Sequence, residues 1–288
     1  MSADFGRAPA SSVGERPRFA STADDESLVR SFVASMPAVY RERFPADVSR
    51  EHARIVQERD GATAHADVWQ ELPGGTAGIC VVADDRPGLL SLIGIALTRH
   101  ELDVRSAQIY GRSLPHGGME AVDLFWVSRW DLGRGRELGG ADCAEISAMG
   151  RTLASLIERA RDLPREAGNV RATDRQSSGD AARRARFAYE AETSSCVLIV
   201  EAADRPGLLL TVARTLFELG TQIVRSDVMT IRGRAVDRFH VTENDGSALS
   251  ESRRTQIENA IEQVLEQPFR RTAYASSNRS PSSSDKTR

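Results

Sequence analysis

The four residues Asp-Arg-Pro-Gly occur twice in this 288-residue sequence, at 85–88 and at 204–207, and two leucines follow each time. Together these residue types suit a small-molecule site. Proline fits the first turn of a helix, where its missing N–H costs no hydrogen bond. Glycine lets a ligand come close to the backbone. The unpaired amides of a first helical turn can hold a carboxylate, and a neighbouring aspartate can accept from an ammonium group. The candidate ligand-binding residues are therefore Asp85, Arg86, Pro87, Gly88 and Leu89 in one copy, and Asp204, Arg205, Pro206, Gly207 and Leu208 in the other. A plainer role stays open for the same residues, in which the aspartate caps the helix and the glycine permits the turn.

Other chemistry finds little support. His52, His65, His100, His116 and His240 are scattered and show no metal-ligand spacing. Cys80, Cys143 and Cys196 are odd in number and unclustered, which fits a reducing compartment and no disulfide framework. Cys80 and Cys196 read as small buried hydrophobes. Ser91, Ser106 and Ser226 lack a Gly-x-Ser-x-Gly elbow. The one lysine is Lys286, near the C-terminus, so no P-loop or Schiff-base lysine sits in the folded part. No catalytic residue, metal ligand or cofactor is expected.

The two turns belong to a longer internal repeat. Residues 78–90 (GICVVADDRPGLL) are echoed by 197–209 (VLIVEAADRPGLL). Each copy continues through a helix-period stretch, a Val-Arg-Ser step (104–106 and 224–226) and a second matched strand, AVDLFWV at 121–127 and AVDRFHV at 235–241. Each closes with an amphipathic helix, marked by Ile146, Met149, Leu153 and Ile157 and then by Ile257, Ile261, Val264 and Leu265. Asp142 and Glu145 have the spacing of a capping box. The stretch 186–191 reads as the last strand of the first copy, and 268–274 as a weaker candidate in the second. The order βαββαβ is the ferredoxin-like arrangement, two helices on one face of a four-stranded antiparallel sheet.

The expected organisation is a disordered N-terminus (1–25), a helical segment (26–60), domain 1 (76–163), a linker (164–185), domain 2 (186–275) and a disordered tail (276–288). The strand at 186–192 either opens domain 2 or closes domain 1. Residues 66–72 form a further candidate strand. Leu124 and Trp126 alternate with Phe125 and Val127, so both faces of that strand are apolar, whereas the second copy carries Arg238 and His240. Trp126 therefore needs a cover. The helical segment, the second copy or another subunit could supply it.

A strand, Asp-Arg-Pro-Gly-Leu-Leu and a helix within a βαββαβ unit resemble the ACT domain, a module that binds amino acids and regulates metabolic enzymes. The second copy is similar to the C-terminal ACT pair of bacterial PII uridylyltransferases, and 31–60 to the segment preceding that pair. The sequence contains neither the Asp-x-Asp metal pair nor the His-Asp dyad of that family's catalytic domains. The resemblance thus implies an α+β regulatory chain without catalysis, in nitrogen or amino-acid metabolism. It implies an amino-acid ligand, glutamine first, and a protein partner or homo-oligomer.

Two alternatives remain: a ligand-free oligomerisation or interaction module, and a regulatory subunit related to the uridylyltransferase. A net charge of −3 argues against nucleic-acid binding. Without an apolar run of span length or a signal h-region, no membrane partner is expected and the reading is cytoplasmic.

Overall fold

The computed structural model describes residues 23–72, 75–131, 136–139, 141–161, 184–190, 195–205 and 207–266. Most of the expected disordered N-terminus (1–25), the whole expected tail (276–288), most of the linker, the candidate strand 268–274 and Pro206 lie outside the described residues, while residues 23–25 belong to a helix instead of the expected disordered segment.

The first unit contains β1 (Ala64–Leu72), β2 (Thr76–Asp84), α4 (Leu89–Arg99), β3 (Leu102–Ile109), β5 (Met119–Asp131) and α5 (Cys143–Arg161). Two short strands, β4 (Gly111–Ser113) and β6 (Arg136–Gly139), pair with β5. The second unit repeats the order with β7 (Arg184–Glu190), β8 (Ser195–Ala203), α6 (Leu208–Glu218), β9 (Thr221–Ile231), β10 (Arg234–Glu243) and α7 (Glu251–Leu265). Ahead of both come α1 (Ala23–Ser35), α2 (Ala38–Arg43) and α3 (Ala46–Glu58).

All strands among the described residues join one ten-stranded sheet, whose main path runs β1-β2-β5-β3-β9-β10-β8-β7. The architecture is α+β, with two ferredoxin-like halves side by side. Each half differs from the expected strand order in one respect: its edge strand precedes the unit instead of ending it. β7 pairs antiparallel with β8, Phe187 opposite Leu198, and so opens the second half. The place beside β2 is already taken by β1, with Ala66 opposite Val81. The first half therefore begins at residue 64, earlier than the expected 76. Two donors on the edge strand β7 are met by α7, where Glu262 accepts from the N–H of Ala185 and Glu258 from that of Phe187. Capping an edge in this way removes a template for pairing with another chain.

The halves meet along β3 and β9. Ser106 pairs with Met229 and Ile109 with Ser226. Because the Val-Arg-Ser steps align Ser106 with Ser226, this register is its own image under a local two-fold. Above the seam α4 lies against α6, and a Cβ on Gly94 would stand 3.0 Å from Leu210 Cβ. Glycine sets how closely these helices approach.

The four helices α4 to α7 cover one face of the sheet over a single apolar core, with Ile93, Leu97, Phe125, Leu153, Leu216, Phe239 and Ile261 all buried. The amphipathic stripes read from the sequence are the faces they bury. The capping box at the start of α5 is present: Glu145 N–H donates to Asp142 at 2.8 Å and Asp142 N–H to Glu145 at 3.3 Å.

The opposite face of the first half is covered by α1 to α3. Phe32, Met36, Tyr40, Phe44 and Ile55 pack on Cys80, Val82, Val122 and Leu124, with Trp69 and Trp126 beside them. This supplies the cover that Trp126 requires. Burial raises the Cys80 thiol pKa far above its ordinary value, as befits a core residue. The equivalent face of the second half carries paired charges instead, such as Arg238 with Glu190 at 2.5 Å. No helix among the described residues is long and apolar enough to cross a membrane.

Candidate ligand clefts

Each Asp-Arg-Pro-Gly turn joins the end of a central strand to the first turn of a helix. Gly88 and Gly207 sit at the helix N-caps with φ of 82° and 77°. That left-handed conformation favours glycine, because a Cβ would crowd the backbone. Among the five residues expected in each copy, Asp85, Arg86, Gly88 and Leu89 line one cleft, and Asp204, Arg205, Gly207 and Leu208 line a second. Pro87 is half-buried beside the first cleft.

Both clefts are composite. The first, about 480 Å³ of solvent-connected space, is closed by Phe217 at the end of α6 and by Thr221 to Val224 of β9. The second, about 430 Å³, is closed by Thr98 at the end of α4 and by Leu102 to Val104 of β3. Each half thus contributes a turn to one cleft and a wall to the other, as the local two-fold demands. The walls differ in chemistry. Phe217 lies so close to the first turn that a Cβ on Gly88 would meet its ring at 2.7 Å. In the second cleft, Asp103 is buried and Arg105 stands 3.6 Å from it and 3.7 Å from Asp204.

The two turn arginines point to structure. Arg86 Nη1 donates to the carbonyl of Ile157, and Arg205 Nη2 to that of Val264, at 3.4 Å each. Those carbonyls lie toward the C-terminal ends of α5 and α7, where a cation complements the helix dipole. The arginines tie each turn to its closing helix.

The most informative residues at the clefts were absent from the sequence-based set. Asp123 of β5 and Asp237 of β10 line the first and second clefts, and each is 1% exposed. Asp123 accepts from the backbone N–H of Tyr110 and Asp237 from that of Met229, yet Oδ1 of each has no hydrogen-bond partner. Burial pushes both carboxyls up, Asp237 to about 7, with Asp85 adding to the effect at Asp123 and Asp204 at Asp237. Leaving a buried acceptor unpaired costs about 1–3 kcal/mol. The two acceptors stand at equivalent places, and both at a cleft. The signal was available in the matched Ala-Val-Asp segments, where an acid occupies the same place in both copies, between apolar residues that face the helices.

No family model matches the chain. It is similar to proteins described as bifunctional uridylyltransferase/uridylyl-removing enzymes: 28% identical over 265 residues to that of Phenylobacterium zucineum (88% of this chain, 26% of the relative). It is also 26% identical to that of Caulobacter vibrioides (80% and 24%) and 28% to that of Streptomyces coelicolor (65% and 22%). The chain spans about a quarter of the length of these relatives.

Proposed function

We propose that this chain is a non-catalytic regulatory protein built from two ACT domains. In this reading a small amino acid, glutamine first, binds one or both clefts, and the signal passes to a protein partner in nitrogen or amino-acid metabolism. The observation that supports it is the placing of both Asp-Arg-Pro-Gly turns on clefts walled by the opposite half. A ligand there touches both halves at once, so binding biases how they sit together. First-turn amides of α4 or α6 offer a place for its carboxylate, and the cleft acids offer one for its ammonium.

Thermal melting and calorimetry of the full chain with each of the amino acids test this. A ligand specific for the folded state adds about 2.7 kcal/mol at a hundredfold excess over its dissociation constant. The side chains to fill are Val224, exposed at the first cleft, and Val104, half-buried at the second. Val224→Trp with Val104→Trp should abolish the shift in a protein that still melts cooperatively. Absence of any shift would return the chain to a ligand-free interaction module. The same preparation, given PII, UTP and magnesium or manganese, is expected to transfer no uridylyl group.

A further inference from the structure

We propose that Asp123 is the receptor for the ligand's ammonium group in the first cleft, with Asp85 beside it, and that Asp237 is its weaker counterpart in the second. This assignment rests on the reading of the clefts as amino-acid sites. It goes further by naming the group that recognises the ligand and by ranking the clefts.

Three observations carry it. First, Asp123 and Asp237 both line the clefts, are 1% exposed and leave Oδ1 without a hydrogen-bond partner. A buried carboxyl with an unused acceptor gains most from a charged donor, and an ammonium brings three N–H groups. Second, the first cleft holds two acids whose charges act on each other, Asp85 and Asp123. Burial raises the Asp85 carboxyl, while the backbone N–H of Arg86 favours its ionised form. Among the described residues no arginine pairs with Asp85. In the second cleft Arg105 already stands near Asp204 and Asp103. Asp204 therefore already has a cationic neighbour, which Asp85 lacks among the described residues. Third, the wall facing the first turn offers Phe217, Ile223 and Val224, with no basic group among them. A cation between such walls and two carboxyls is desolvated and paired at once, which strengthens the pairing.

Titration calorimetry of the full chain at pH 8, across the amino acids, should show two binding events of unequal strength. Asp123→Asn should abolish the tighter event and Asp237→Asn the weaker. The 2-hydroxy acid with the same carbon skeleton as the best amino acid should bind unsubstituted protein at least about a hundredfold more weakly, since one neutral O–H donor replaces the three charged N–H donors of the ammonium. Undiminished binding in Asp123→Asn, or equal binding of the hydroxy acid, would overturn the assignment and leave the clefts as amino-acid sites. No binding of any amino acid would overturn both readings. If Asp123→Asn fails to melt cooperatively, the hydroxy-acid comparison on the unsubstituted chain decides alone.

Discussion

Asp123 and Asp237 occupy equivalent positions on strands that flank the seam from opposite sides, and each leaves one carboxyl oxygen without a hydrogen-bond partner. The local two-fold that pairs Ser106 with Met229 and Ile109 with Ser226 also relates these two acids. An isolated orphan of this kind would be an imperfection of packing. A related pair, each lining a cleft between halves, places the same unused acceptor at both candidate sites. A ligand that donates to either acceptor binds the folded state alone and so stabilises it.

The acids make stability depend on pH. Asp237 is raised to about 7 from an ordinary value of 3.8, and Asp123 is shifted the same way. A folded state that holds a proton more tightly than the unfolded chain is favoured below the unfolded pKa. That advantage is lost as pH rises through the folded pKa. The unliganded protein should therefore lose stability between about pH 4 and 7, on the order of 1 kcal/mol per pH unit for one such group. Asp237→Asn should flatten that slope in urea titrations at several pH values. An unchanged slope would show that Asp237 ionises freely in the fold.

His52 works in the opposite direction. It is fully buried, accepts or donates at Nδ1 with the Tyr40 hydroxyl at 2.7 Å, and burial lowers it to about 3. Its neutral form belongs to the fold, so its contribution is complete above about 6.5 and is lost as pH falls toward 3. The ring lies 4.6 Å from that of Trp69. Tryptophan emission should change as acid loosens α1 to α3, and His52→Phe should move that change to lower pH.

Gly88 is held by two independent constraints, its φ of 82° and the ring of Phe217. Gly88→Ala should cost roughly 1–3 kcal/mol from backbone strain alone, plus the cost of moving the ring. Phe217→Ala is expected to relieve the second part and leave the first. A double-mutant cycle read by chemical denaturation separates them. Zero coupling would mean that the ring moves aside freely. At the seam, Gly94→Val should cost about 1–3 kcal/mol by wedging α4 from α6.

Much of this was legible in the sequence because local rules and the fold agree. The apolar spacing in α4 to α7, the Asp142 and Glu145 box, and the two-faced burial around Trp126 each follow from periodicity. The edge strands were harder. Residues 184–190 follow α5 in the chain, and nothing local to them says whether they pair with β2 or β8; the answer lies in β1, which already occupies the other place. The clefts were half legible. Turn chemistry marks Gly88 and Gly207, but Phe217 and Asp103 reach the clefts from the opposite half, across a seam no local pattern reveals. Asp123 and Asp237 lie inside the two matching strand segments, and only their burial beside a cleft gives them meaning.

The cover over Trp126 yields the last expectation. Trp126 packs edge-on to Trp69 with ring centroids 5.7 Å apart, under helices whose Tyr40 and Phe44 contact the ring of Tyr110. Tyr110 also lines the first cleft, and Arg43 of α2 reaches Asp227 of the second half at 2.7 Å. The helical segment therefore touches the first half, the second half and the cleft between them. In Trp126→Arg a guanidinium would replace an indole on an apolar surface and be left without a buried partner, so α1 to α3 should detach while the ten-stranded sheet persists. Limited proteolysis should then cleave near residues 58–63 in the variant and spare the unsubstituted chain. Equal protection in both would show that the helices hold on without this contact. If amino-acid binding in the first cleft also weakens in the variant while the second cleft is unaffected, the cover and the cleft share Tyr110 as a common support.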